Sequence, residues 1–126
     1  MLYMAPKAGG GPAALESWRE QLRRGGLEMA ILLCLSRERR YGLEIIRHLE
    51  ESTDLVVTEG TIYPMLARLA ADGVVEAQWE PTEASHPRKY YALTDRGQRR
   101  LQEMIEHWKD FAGKLERLIQ SARRRA

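Results

Sequence analysis

The sequence predicts a mainly α fold with one small β-hairpin, and three features carry that expectation. Apolar residues recur at helical spacing in separate stretches before Gly73, the period drops to two between Val75 and Leu93, and a helical period returns as an unbroken stripe from Leu101 to Ala122. The resulting order is helix, helix, helix, hairpin, long helix.

Residues 1–13 contain Gly9-Gly10-Gly11-Pro12 and no periodic apolar pattern, so they read as a flexible arm carrying one lysine, Lys7. From about Ala13 the pattern turns helical. Leu15, Trp18 and Leu22 are spaced by three and four, Gly25-Gly26 is expected to interrupt them, and Leu27 to Leu35 is apolar almost all round, as in a buried helix. Arg37-Glu38-Arg39-Arg40 reads as a solvated turn. Tyr41 to Glu50 puts Ile45, Ile46 and Leu49 on one face and charges on the other, a short amphipathic helix. Asp54 to Val57 is expected to be an extended link. The next helix spans Thr58 to Asp72 and closes at Gly73, where glycine can enter the left-handed region. Pro64 is tolerable if the regular helix begins as late as Thr61, and implies a local kink if it begins at Thr58.

Beyond Gly73, Val75, Ala77 and Trp79 alternate with Glu76, Gln78 and Glu80, while Tyr91 and Leu93 alternate with Tyr90 and Ala92. The polar segment Pro81 to Pro87 joins these two strands as a long hairpin tip. Thr94 is a plausible N-cap, from which a helix runs to Arg123-Arg124-Arg125, where cations suit a helix C-terminus. Three helices too short to be stable alone, followed by a two-stranded wing, describe a winged helix-turn-helix over 14–93, with a long C-terminal dimerisation helix over 94–126.

Bulk properties bound the function. A chain of 126 residues suits one domain, and 44% hydrophobic with 30% charged residues is a globular balance. The longest apolar run, Met29 to Leu35, is far short of the ~20 residues of a bilayer span, and no charged segment precedes an apolar one at the N-terminus, so a cytoplasmic protein is expected. A single cysteine, Cys34, excludes an internal disulfide and reads as a buried inert thiol rather than a redox sensor. The net charge of +2 is compatible with a polyanionic partner but decides nothing alone. His48, His86 and His107 lack carboxylates or cysteines at ligand spacing, and neither a phosphate-cradling glycine loop nor a nucleophile elbow is present. No enzymatic activity, metal or cofactor is expected.

Winding Thr61 to Asp72 at about 100° per residue groups Ile62, Met65, Leu66 and Leu69 as a core face. Gly60, Pro64, Ala67 and Ala71 lie opposite, flanked by Tyr63 and Arg68. Small residues there let a backbone approach a groove wall, with Arg68 free to reach a phosphate or guanine edge and Tyr63 a phosphate; an ordinary surface helix is the alternative. Arg88 and Lys89 on the wing, Arg96, Arg99 and Arg100 after it, Arg47 and the terminal arginines are candidates for backbone contact or simply a solvated basic face.

Leu101, Met104, Trp108, Phe111, Leu115, Leu118 and Ala122 keep an a/d spacing, widened by Ile105, Ala112 and Ile119. So long a stripe exceeds what a small domain covers, and a second copy is the simplest partner, giving a two-fold homodimer; a helix folded back on its own domain is the alternative. Gly113 within this helix fits a close helix crossing.

Several blocks resemble those of the PadR regulators in order and spacing. They are Tyr41-Gly42-Leu43-Glu44-Ile45-Ile46, Thr58-Glu59-Gly60-Thr61-Ile62-Tyr63-Pro64-Met65-Leu66-Ala67-Arg68-Leu69, Asp72-Gly73-Val74-Val75 and Pro87-Arg88-Lys89-Tyr90-Tyr91-Ala92-Leu93-Thr94. The match covers roughly Leu27 to Leu118. The resemblance implies a DNA-binding transcriptional regulator, a repressor that releases its operator in double-stranded DNA when an effector binds, and the expected two-fold dimer predicts that this operator is pseudo-palindromic. Family DNA contacts fall on Tyr41, Thr61, Tyr63, Pro64, Arg88 and Lys89, and Thr58, Gly60 and Arg68 complete the candidate set. The single C-terminal helix is similar to that of the short subclass, some of whose members bind flat aromatic molecules between paired tryptophans at the dimer centre. Trp108 matches that position, either as an effector contact or as heptad core. The glycine-rich arm departs from the family pattern. A winged helix that binds a protein partner and never touches DNA is the rival reading, distinguished by a weak response to salt.

Overall fold

The computed structural model describes residues 11–81 and 87–125, so most of the expected N-terminal arm and the tip of the hairpin, residues 82–86, lie outside the described residues. Helix α1 spans Gly11–Cys34 without a break. Gly25 and Gly26 were expected to interrupt it and do not. Each glycine costs about 1 kcal/mol relative to alanine, and turns on both sides outweigh that. Arg23 donates to Glu16 and Glu20 at 2.9 Å each just before the pair, and Leu27, Ile31, Leu32 and Cys34 anchor the helix in the core just after it. The end of α1 is satisfied by Ser36, whose Oγ donates to the Leu33 carbonyl at 2.7 Å, and by Arg40, whose Nε donates to the Cys34 carbonyl at 2.8 Å.

Arg40 also begins a strand. β1, Arg40–Tyr41, pairs antiparallel with β3, Arg88–Leu93, which pairs on its other side with β2, Val75–Glu80, so the wing is a three-stranded sheet in the order β1-β3-β2. Arg40 thus lies in a strand rather than in the solvated turn that its charged neighbours suggest, and the wing has three strands rather than two. Two residues are too few to display a period, and the register Arg40↔Tyr91, Tyr41↔Tyr90 is a long-range choice.

Helix α2, Gly42–Thr53, ends on Asp54 in the left-handed region at φ 61°, which a short polar side chain tolerates. Helix α3, Glu59–Ala71, starts near the earlier of the two expected positions, so Pro64 lies inside it and the Gly60 carbonyl forgoes its helical donor on the exposed face. Its C-terminus is a Schellman motif: Val74 N–H donates to the Leu69 carbonyl at 2.9 Å, Gly73 N–H donates to Ala70 at 3.0 Å, and Gly73 has φ 75°. Thr94 caps α4, Asp95–Arg125, its Oγ1 accepting the Gly97 N–H at 3.0 Å while its O–H donates to the Gly73 carbonyl at 2.6 Å. One residue thereby fixes both the start of the long helix and the turn after α3. Gly97 is obligatory beside it, because a Cβ there would run into the Val74 carbonyl oxygen.

The core joins Leu27, Ile31, Leu32 and Leu35 of α1 and its end to Ile45, Leu49, Ile62, Leu66, Leu69, Val74, Val75, Tyr91 and Leu101. The long stripe of α4 divides. Leu101 is 4% exposed within this core, and Met104 and Ile105 pack against it, so the N-terminal turns of α4 are used by their own domain. Leu101 is therefore not part of an exposed interface, a correction that periodicity could not supply. Trp108, Phe111, Leu115, Leu118 and Ile119 are exposed, Trp108 at 56% and Phe111 at 63%. Leu15, Trp18 and Leu22 of α1 are exposed as well. No helix of the described residues is long and apolar enough to cross a membrane.

Candidate nucleic-acid interface

Helix α3 turns Ile62, Leu66 and Leu69 into the core with Met65 half-buried, and leaves Gly60, Tyr63, Pro64, Ala67, Arg68 and Ala71 outward, as its period requires. Beside the outward face lies a groove of about 560 Å³ that Tyr41, Gly42, Leu43, Arg47, Tyr63, Ala67, Trp79, Pro87, Arg88, Lys89 and Tyr91 line. Four of the sequence-derived candidates, Tyr41, Tyr63, Arg88 and Lys89, thus come together from the N-terminus of α2, from α3 and from the wing.

Aromatic rings hold the cations of this groove in place. Tyr41 and Tyr90 meet edge to face with centroids 5.6 Å apart, the Arg88 guanidinium lies 4.6 Å from the Tyr41 ring and Arg39 lies 4.4 Å from the Tyr90 ring. Lys89 Nζ sits 5.4 Å from the Trp79 ring and 5.7 Å from the Tyr91 ring. Arg39 is neutralised by Glu80 at 2.7 Å and also donates to Gln78 at 3.0 Å, tying the turn after α1 to β2. Among the described residues no carboxylate lies within 4.0 Å of Arg47, Arg88 or Lys89. Among the described residues, therefore, these three cations of the groove are uncompensated.

Tyr41 is the N-cap of α2, its backbone N–H donating to Glu44 Oε1 at 3.1 Å, while its ring packs against Tyr90 of β3. Tyr63 lies against Gly42: a Cβ at that glycine would be 2.5 Å from Tyr63 Cε1 and Oη. The absent side chain is what lets the ring settle over the start of α2. Burial, reinforced by Glu59 and Tyr91, raises the Tyr63 phenol above its ordinary value, and burial alone raises Tyr91. The Tyr63 hydroxyl stays protonated and able to donate.

The remaining candidates lie elsewhere. Thr58 and Thr61 border a second, smaller groove against α1, with the Thr58 hydroxyl donating to that of Thr61 at 3.3 Å, and Gly60 and Pro64 are exposed outside both linings. Arg68, expected to be free, donates to Glu28 of α1 at 3.0 Å. With its side chain 57% exposed this pair contributes only about 0–1 kcal/mol, so a stronger anion displaces Glu28 at little cost. Sequence reasoning missed Trp79 and the Glu28 partner. The first was legible only as a strand residue, and the second lies 40 positions away in the chain. Among the described residues no group of histidines, cysteines and carboxylates is arranged to hold a metal.

The family model of the PadR-like transcriptional regulators matches residues 31–103, which hold α2, α3, the wing and the start of α4. A PadR-like transcription factor of Bacteroides fragilis is 37% identical, with a TM-score of 0.69 over 81% of this chain and 98% of that one. A PadR-like transcriptional regulator of Bacillus cereus is 33% identical, with a TM-score of 0.72 over 79% of this chain and 97% of its own. A PadR family transcriptional regulator of Eggerthella lenta is 32% identical, with a TM-score of 0.75 over 85% of this chain and 93% of its own. These relatives are regulators rather than enzymes, and their helices and small antiparallel sheet match those described above. The chain belongs to the PadR-like family of DNA-binding transcriptional regulators.

Proposed function

We propose that this protein is a cytoplasmic transcriptional repressor that binds a pseudo-palindromic operator as a homodimer and releases it on binding an effector. The observation that carries this reading is the groove in which Arg88, Lys89 and Arg47, without a carboxylate partner among the described residues, gather with Tyr41 and Tyr63 beside the outward face of α3. Small side chains at Gly60, Pro64 and Ala67 suit entry of α3 into the major groove, while the wing cations and tyrosine hydroxyls suit phosphates. In this division of labour residues 14–93 bind DNA and α4 joins two copies.

Dimerisation is supported by two exposed apolar stripes, Trp108, Phe111, Leu115 and Leu118 on α4 and Leu15, Trp18 and Leu22 on α1. Together they exceed the scattered apolar exposure of an ordinary monomer, and a second copy related by a two-fold axis covers both. The two α3 helices then address half-sites about 34–36 Å apart. Trp108, exposed on α4 before dimerisation, is the residue we assign to a flat aromatic effector at the dimer centre.

Fluorescence anisotropy on the DNA upstream of the protein's own gene, against scrambled DNA of equal length at two salt concentrations, tests this function. Tight, salt-sensitive binding that prefers the native sequence is expected. Equal weak binding to both sequences, or a nearly flat response to salt, contradicts it, and the flat response favours a protein-binding winged helix.

A further inference from the structure

Trp79 is a large apolar side chain left 65% exposed on a strand whose neighbouring residues are polar or charged. Alternation along β2 puts it on the same face of the sheet as Val75, which is buried in the core, so Trp79 continues the core-facing row beyond the point where the core ends. There it lines the groove with Tyr63 and Ala67 of α3. Its cross-strand partner is Lys89, and the Lys89 ammonium lies 5.4 Å from the Trp79 ring and 5.7 Å from the Tyr91 ring. A lysine on a flexible stem ordinarily disperses its charge over many rotamers, whereas two ring faces within about 6 Å restrict it to one region. Among the described residues neither the indole N–H nor the ammonium has a hydrogen-bonding partner within the chain.

We infer that Trp79 and Lys89 form one composite contact for the DNA sugar–phosphate backbone, with Trp79 as a packing surface for a deoxyribose and as the residue that positions the Lys89 ammonium on the adjoining phosphate. The inference rests on the DNA-binding reading above and extends it to a residue that charge counting overlooks. An exposed aromatic flanked by cations suits this ligand in both parts, because the sugar offers an apolar face and the phosphate a charge. Backbone contacts of this kind carry no base information. The pair therefore adds affinity to every sequence alike.

The test is anisotropy with Trp79→Leu, Trp79→Phe, Lys89→Gln and the double variant Trp79→Leu/Lys89→Gln, on native upstream and scrambled DNA across a salt series. Trp79→Leu keeps an apolar group on the strand, and a thermal melt matching wild type shows the wing intact. The expected result is a loss of about tenfold for Trp79→Leu on both DNAs, recovered in large part by Trp79→Phe. The salt slope should also become shallower, and the double variant should lose less than the product of the two single losses while staying weaker than Lys89→Gln alone, because the ring acts partly through the lysine and partly through its own contact with the sugar. Wild-type binding by Trp79→Leu with an unchanged slope, or losses that multiply in the double variant, overturns the composite contact while leaving the regulator reading intact. Absence of DNA binding by the wild-type protein overturns both.

Discussion

Replacing Gly42 with alanine separates the geometry of the groove we assign to DNA from the stability of the fold. A Cβ at Gly42 lies 2.5 Å from Cε1 and Oη of Tyr63 and 2.6 Å from Cζ, so ring and methyl cannot coexist as they stand. The obstructing atoms are the far end of a side chain that is itself exposed, and rotation of Tyr63 about χ1 relieves the overlap without moving α2 or α3. Stability should change by no more than about 1 kcal/mol, since alanine also favours the helix. Under the proposed DNA-binding dimer the displaced hydroxyl should lose one phosphate hydrogen bond, about 1 kcal/mol per protomer. Two protomers lose about 2 kcal/mol, roughly thirtyfold in Kd. Urea denaturation and operator anisotropy on the same preparation measure both quantities. DNA binding equal to wild type, or a stability loss of several kcal/mol, would refute the reasoning, the latter because it would mean that backbone and not the ring gives way.

The other expected outcomes concern the frame around that groove. Gly97→Ala drives a methyl into the Val74 carbonyl, a backbone atom that cannot step aside, and should cost about 1–3 kcal/mol by urea denaturation despite alanine's better helix propensity. Thr94→Val removes the cap on Gly97 and the bond to Gly73, and should cost about 0.5–2 kcal/mol in the same assay. Phe111→Asp with Leu118→Asp should give a monomer by sedimentation that keeps the wild-type circular dichroism spectrum, because both side chains lie outside the domain core. Burial, opposed weakly by Arg40, pushes the Cys34 thiol up from 9.0 to about 11. The folded protein thus holds the thiol proton more tightly than the unfolded chain. That stabilisation is complete below the unfolded value and is lost as pH rises through the folded one, so stability should fall between pH 9.0 and about 11, and a Cys34→Ala variant should show a smaller fall.

Much of this fold was legible because local rules and the final packing agree. The core face of α3, the left-handed turn at Gly73 and the cap at Thr94 each follow from a period or a residue's intrinsic preference, and the structure uses each as expected. The reading failed where a long-range partner decides. Gly25-Gly26 looks like a break, yet core contacts from Leu27 onward carry α1 through it. β1 is too short for a pattern and exists only because β3 lies beside it. The stripe of α4 has one uniform spacing, and nothing in that spacing says that Leu101 meets its own domain while Phe111 does not. At the groove, residue types announced Arg88 and Lys89, but the rings that hold them come from β1, β2 and β3 together. Arg68 looked free because Glu28 is distant in the chain.

The central claim is that the wing and α3 together grip DNA phosphates, and its most direct test is the salt dependence of operator affinity for wild type against Arg88→Gln/Lys89→Gln. A dimer loses four phosphate contacts in that variant. The log–log slope should therefore become shallower by about 3.6. Parallel slopes for the two proteins, whatever their absolute affinities, would contradict the assignment of this groove to DNA.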